Sequence, residues 1–224
     1  MNIIMMGNGK MGKQIIKLAQ QKGHKIVKIA DSNNKAELLN LTKADVCIEF
    51  STPETAFRNI SHSIKSGVPI ISGTTGWLNK MKEIENICDT YNGSFLYSSN
   101  FSIGMNILFE LNKKLAQLMK DRKYSCTVDE THHKKKIDAP SGTAKQLAKD
   151  IENTLVKKAS IKYKRTNNII GEHNITYSSN DDIIKIRHVA KNRASFARGA
   201  IIAAEWIINK KGVFDFYDII KLDT

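Results

Sequence analysis

Short apolar runs alternate with helix-period segments through the first hundred residues, the pattern of a parallel α/β sheet. Asn2–Met6, His24–Asp31, Ala44–Phe50, Val68–Ser72 and Ser94–Tyr97 read as five strands. Between them, Met11–Gln21, Pro53–Ser66 and Leu78–Tyr91 place apolar residues at helical spacing, such as Met11, Ile15 and Leu18 in the first. The rhythm changes after residue 101. Met105–Met119 is an amphipathic helix, Tyr124–Glu130 alternates as a strand, and Ser141–Lys158 is a further helix with Ala144, Leu147, Ile151 and Leu155 on one stripe. Ile161–Arg165, His173–Ser178 and Ile183–Val189 follow as strands, and Phe196–Ile208 closes as a helix.

Gly7–Asn8–Gly9–Lys10–Met11–Gly12 falls where the first strand hands over to the first helix, and it spells GxGxxG. In that setting the glycines permit a tight turn and close approach to a pyrophosphate, whose charge meets the helix N–H groups. Asp31 ends the second strand 19 residues after Gly12, where a ribose-binding acid belongs. It favours a free 2′-hydroxyl and so NADH, while nearby Lys35 leaves NADPH open. The loops Gly73–Thr74–Thr75–Gly76 and Asn100–Phe101–Ser102 follow the fourth and fifth strands and are expected to face the same cofactor. Trp77 is expected to pack rather than stack on a ligand. The fold class is therefore α/β: a Rossmann-like dinucleotide-binding domain, residues 1–101 plus 194–224, with an inserted α+β substrate domain, residues 102–193.

Composition narrows the partners. The 224 residues carry 35 Lys+Arg against 22 Asp+Glu, a formal charge of +13. Only six of the basic residues are Arg, where nucleic-acid contacts favour it, and the lysines are dispersed. No nucleic-acid partner is expected. Cys47, Cys88 and Cys126 form no CxxC pair, which suits a reducing compartment. The apolar start, Met1–Met6, is too short for a signal-peptide core, and the apolar run Ala200–Ile208 carries Glu205 and falls short of a membrane span. A cytoplasmic protein without a membrane partner is expected.

The densest chemistry lies in Glu130–Ala144, ETHHKKKIDAPSGTA. His132 to Lys136 are five consecutive cationic or titratable residues. Adjacent histidines chelate one ion poorly, and no cysteine or third histidine stands at ligand spacing, so no metal is expected. Ser141 is a good N-cap, and the N–H groups of Gly142 and Thr143 beyond it suit a carboxylate or phosphate. Cations beside an anion-binding helix start describe a pocket for a small acidic molecule.

This block resembles the E-x-H-H-x-x-K-x-D-A-P-S-G-T-A signature of the 4-hydroxy-tetrahydrodipicolinate (dihydrodipicolinate) reductases. Phe50–Pro53, Gly73–Gly76, Ser99–Asn106, Gly171–His173 and Arg193–Gly199 fall in that family's order too. The resemblance implies NAD(P)H-dependent reduction of 4-hydroxy-tetrahydrodipicolinate in lysine and diaminopimelate biosynthesis, by a homotetramer built through the inserted domain. It implies His132 and Lys136 as the catalytic pair, with Lys136 the proton donor, and His133, Gly142 and Thr143 as ligands of the substrate carboxylates. The cofactor contacts it implies are Gly7–Gly12, Asp31, Gly73–Thr75 and Ser98–Phe101. Glu49 stands where that family usually has Asp, and Ser98–Ser99 replace an Ala-rich lead. Two other readings share parts of the pattern: another Rossmann reductase of small dicarboxylates, and a basic nucleic-acid-binding or redox-sensing protein.

Overall fold

The computed structural model describes every residue except 32–33, 35–39, 135, 137, 156–157, 168 and 222–224. Lys35, weighed above for a 2′-phosphate, and Lys135 of the cationic block lie outside the described residues. The chain divides into two compact units, Met1–Ile103 with Ala194–Thr224, and Gly104–Arg193.

In the first unit, strands β1 (Asn2–Met6), β2 (Lys25–Ala30), β3 (Val46–Glu49), β4 (Ile70–Ser72) and β5 (Ser94–Tyr97) are all parallel. Among the described residues the sheet runs β10-β5-β4-β3-β1-β2, where β10 is Gly212–Asp215. The order reverses between β1 and β3, so a crevice opens at the carboxyl ends of these two strands. Helices α1 (Lys10–Gln21) and α6 (Ala194–Ile207) cover one face, with Ile15, Ala19, Ala200, Ile201 and Ala204 packed on Ile3, Met5 and Ile48. Helices α2 (Pro53–Lys65) and α3 (Met81–Thr90) cover the other, through Ala56, Ile60, Ile64, Ile84 and Cys88 on Ile4, Cys47 and Ile70. Both strand faces are buried, hence the unbroken apolar runs.

The second unit holds a mixed four-stranded sheet, ordered β7-β6-β8-β9. Strand β6 (Ser125–His133) pairs in parallel with β7 (Ser160–Thr166) and antiparallel with β8 (Gly171–Ser178), which pairs antiparallel with β9 (Ile183–Ala190). Val128, Ile175 and Tyr177 on one face pack against Met105 and Leu108 of α4 (Ile103–Met119) and Ala144, Leu147 and Ile151 of α5 (Gly142–Leu155).

Three boundaries differ from the sequence expectation. Strand β6 runs three residues past Glu130, through both histidines, because its ladder to β7 continues to His133↔Thr166. A 3-10 turn, Leu78–Lys80, precedes α3. Strand β10 and the short helix α7 (Tyr217–Ile220) went unpredicted; β10 is four residues long and begins on a glycine.

Candidate active site

The first unit presents a dinucleotide cradle. Gly7 has φ +109, and a Cβ there would stand 2.1 Å from the Phe50 carbonyl oxygen, so β1 can turn into α1 only with glycine. The N-cap of α1 is Gly9, which makes no side-chain cap, and the first turn holds no acid. Its N–H groups are thus left for an anion, and a Cβ on Gly9 would meet nothing within 4 Å. Asp31 follows β2, on the strand next to β1.

Two further loops meet at the same sheet edge. The carboxylate of Glu49, fully buried at the end of β3, accepts hydrogen bonds from the Ser51 N–H (2.9 Å), Ser51 Oγ, Ser72 Oγ (2.5 Å) and Thr74 Oγ1 (3.0 Å). It therefore ties the Ser51 turn to the Gly73–Thr75 loop. In the next loop Ser98 Oγ donates to the Asn100 carbonyl at 2.7 Å, and Asn100 Oδ1 accepts the Ser102 N–H at 2.9 Å. Phe101 is buried, its ring 5.4 Å from Phe50 and 5.6 Å from Phe216, so only its main chain is left to contact a cofactor. Trp77 is likewise buried and donates to the Thr74 carbonyl at 2.7 Å.

The second unit gathers the Glu130–Ala144 block at the end of β6. Period-two alternation puts Val128, Glu130 and His132 on the buried face and His133 on the other. Glu130 Oε1 accepts the Ser141 N–H at 2.9 Å and an Arg165 N–H at 3.1 Å. Its Oε2 lies 3.3 Å from His132 Nδ1 and 3.7 Å from His173 Nε2. The two imidazoles stand edge to face, 5.1 Å between centroids. Burial works to raise the Glu130 carboxyl, but the neighbouring His173 imidazole and the hydrogen bonds from Ser141 and Arg165 outweigh it and hold the group far below its usual range. Burial first, then the charge of His173, push His132 down to about 4, with Lys136 and Arg165 adding to the shift against the pull of Glu130. His132 is therefore a neutral imidazole at pH 7.

Ser141 caps α5 as expected, its Oγ accepting the Ala144 N–H at 3.2 Å. Lys136 folds back to Asp138, Nζ to Oδ1 2.8 Å, and the Gly142 N–H also supports that carboxylate. The structure thus assembles His132, Lys136, Gly142 and Thr143 around one turn, with His133 beside them on the opposite strand face.

Arg165 and His173 escaped sequence reasoning, and Glu130 carried no role in it. All three come together by strand pairing, with Arg165 opposite His132 and His173 opposite Glu130. The alternation Gly171, His173, Ile175, Tyr177 along β8 was the available signal, since it puts His173 on the core side. Glu130, His132 and His173 offer ligand atoms within 4.8 Å of one another, so a second histidine, remote in sequence but on the adjacent strand, does reach His132, while His133 is not part of this group. A dication there would share its carboxylate with the Arg165 guanidinium and face Lys136, which weighs against it.

Residues 1–101 match the family model for the N-terminus of dihydrodipicolinate reductase, and residues 104–220 match that for its C-terminus. The chain belongs to the dihydrodipicolinate reductase family. A 4-hydroxy-tetrahydrodipicolinate reductase from Christiangramia forsetii is 41% identical, over 99% of this chain and 98% of that protein. One from Thermosipho africanus is 37% identical over 95% of this chain and 94% of its own. A dipicolinate-bound dihydrodipicolinate reductase from Paenisporosarcina shares the fold, with a TM-score of 0.82 at 20% identity over 98% of this chain and 99% of that one. Within this reductase family the parallel sheet with its glycine turn and the mixed sheet with its histidine strand are the two halves that the family models cover. Among the described residues no helix is long and apolar enough to cross a membrane.

Proposed function

We propose that this chain reduces 4-hydroxy-tetrahydrodipicolinate to tetrahydrodipicolinate with a nicotinamide dinucleotide, in lysine and diaminopimelate biosynthesis in the cytoplasm. The observation that carries the reading is the His132–Lys136–Gly142 turn within a chain that belongs to this reductase family across both halves. Residues 1–101 with 194–224 bind the dinucleotide: Gly7 to Gly12 take the pyrophosphate, Asp31 the ribose, and Gly73–Thr75 and Ser98–Phe101 line its far end. Residues 102–193 bind the substrate, a dicarboxylate small enough to be held by His133, Gly142 and Thr143.

The bound cofactor supplies the hydride. Replacing the 4-hydroxyl by hydrogen consumes one hydride and one proton and releases one water. With His132 neutral, Lys136 is the group that delivers the proton, across a cluster whose positive field also draws the dicarboxylate in. Asp31 accepts from a free 2′-hydroxyl and repels a 2′-phosphate, which makes NADH the preferred donor. A homotetramer fits the face of the mixed sheet opposite α4 and α5. That face presents Thr127, Asp129, Glu172 and Asn174 with exposed Ile183 and Val189.

One coupled assay tests the reading. Aspartate semialdehyde, pyruvate and the preceding synthase are mixed with the chain and NADH or NADPH. Oxidation of the nucleotide that depends on all components is expected, faster with NADH. No oxidation with either nucleotide would overturn the function.

A further inference from the structure

Glu130 differs from the other acids of the second unit in having two oxygens committed to two different structures. Its side chain has no exposed surface. Oε1 binds only donors, the Ser141 N–H at the start of α5 and the Arg165 guanidinium. Oε2 faces the imidazoles, 3.3 Å from His132 Nδ1 and 3.7 Å from His173 Nε2, and neither Oε2 nor His132 Nδ1 makes a well-aligned hydrogen bond among the described residues. A small rotation of the imidazole would let these two unsatisfied buried atoms, 3.3 Å apart, pair with each other, and only with the hydrogen on the nitrogen, because an ionised carboxylate can only accept.

We propose that Glu130 is a positioning residue: it fixes His132 in the Nδ1–H tautomer, leaving the Nε2 lone pair for the ligand, while its second oxygen fixes the anion-binding start of α5. One carboxylate thereby sets the imidazole and the helix N–H groups in a single register. Its catalytic arm rests on the reductase reading given above. The same logic of a buried acid orienting an imidazole is known from Ser-His-Asp triads.

Substitution by glutamine tests the tautomer directly. In Glu130→Gln the amide oxygen must stay on the Ser141 and Arg165 donors, so the amide NH2 faces His132 and can only donate. His132 Nδ1 must then accept, and the hydrogen moves to Nε2. Glu130→Asp keeps two accepting oxygens on a shorter stem. The tautomer is read by solid-state 15N NMR of histidine-labelled full-length protein, with His132 assigned from a His132→Gln sample. Steady-state kinetics and NADH affinity are measured beside it.

The expected wild-type tautomer is Nδ1–H, changing to Nε2–H in Glu130→Gln, with kcat lower by about 100-fold or more and NADH affinity unchanged. Glu130→Asp should keep the Nδ1–H form and recover part of the lost kcat. A wild type in the Nε2–H form overturns the proposal even if no variant folds. So does a Glu130→Gln protein with unchanged tautomer, whether its activity is kept or lost. The NMR needs no substrate, so a wild type without reductase activity would sink the function and leave the tautomer result to stand by itself.

Discussion

Asp138 occupies the seat of an anion: its carboxylate lies 2.8 Å from the Lys136 ammonium and takes the Gly142 N–H as well. Burial works to raise this carboxyl, but Lys136 outweighs it and keeps the group ionised. In the proposed reading one of these groups is the proton donor and the other a ligand of the substrate carboxylates, so Asp138 competes with the substrate for the Gly142 N–H and for the charge of Lys136. Asp138→Asn keeps the shape and removes the charge. The dissociation constant for a pyridine dicarboxylate, measured by calorimetry, should fall severalfold, and an unchanged or higher value would mean that Asp138 braces the site.

Lys136 carries the proton in the proposed reaction and belongs to the second unit, whereas the glycine turn belongs to the first. Lys136→Ala should lower kcat by about 100-fold or more while NADH affinity, read by fluorescence, stays near wild type. Full turnover in this variant would remove Lys136 from the chemistry.

In the proposed reading Asp31 discriminates by charge at the ribose. Asp31→Ala should weaken NADH binding more than NADPH binding, so that the ratio of their affinities shifts toward NADPH. An unshifted ratio counts against the ribose role.

The His132 imidazole titrates near 4 in the folded chain against an ordinary value of 6.5. Between those values the unfolded chain binds a proton that the folded chain does not, so stability falls as pH drops through that window and levels off below it. The melting temperature from about pH 7.5 to 4.5, a range that covers most of that window, should fall more steeply for wild type than for His132→Gln. Parallel curves would show that the imidazole takes its proton freely in the fold.

Gly199 of α6 lies so near the loop before α4 that a Cβ would stand 1.7 Å from the Phe101 carbonyl oxygen. Gly199→Ala must push the helix away from that main chain, at about 3 kcal/mol or more. Urea unfolding checks this, and a loss below about 1 kcal/mol would show that the loop yields easily.

The parallel sheet was legible because its strands are buried on both faces and so read as apolar runs, Ile3 to Met6 and Val46 to Ile48 among them. The glycine turn and the Glu130–Ala144 block were legible because each is contiguous. Strand β10 was not: Gly-Val-Phe-Asp has neither length nor alternation, and it becomes a strand only because the β5 edge pairs with it. Arg165 and His173 were hidden for a different reason. Each is an ordinary polar residue in its own segment, and only the β6 ladder reveals that it stands beside Glu130. The buried hub at Glu49 was read as a mere departure from a motif, although its three hydroxyl partners lie on the turn after β3, at the end of β4 and on the loop after it.

The alternation of β6 has a consequence for how this chain can change. Its ladders hold the strand on both sides, to β7 and to β8, so its length cannot be adjusted by slipping. Deleting Asp129 would carry His133 into the place of His132 and turn the Glu130 carboxylate out of the core. Gains and losses of single residues should therefore be lethal to activity there while whole loops elsewhere can be shortened. The strand works as a ruler, and its divisions decide which of two identical neighbouring side chains is buried beside Glu130.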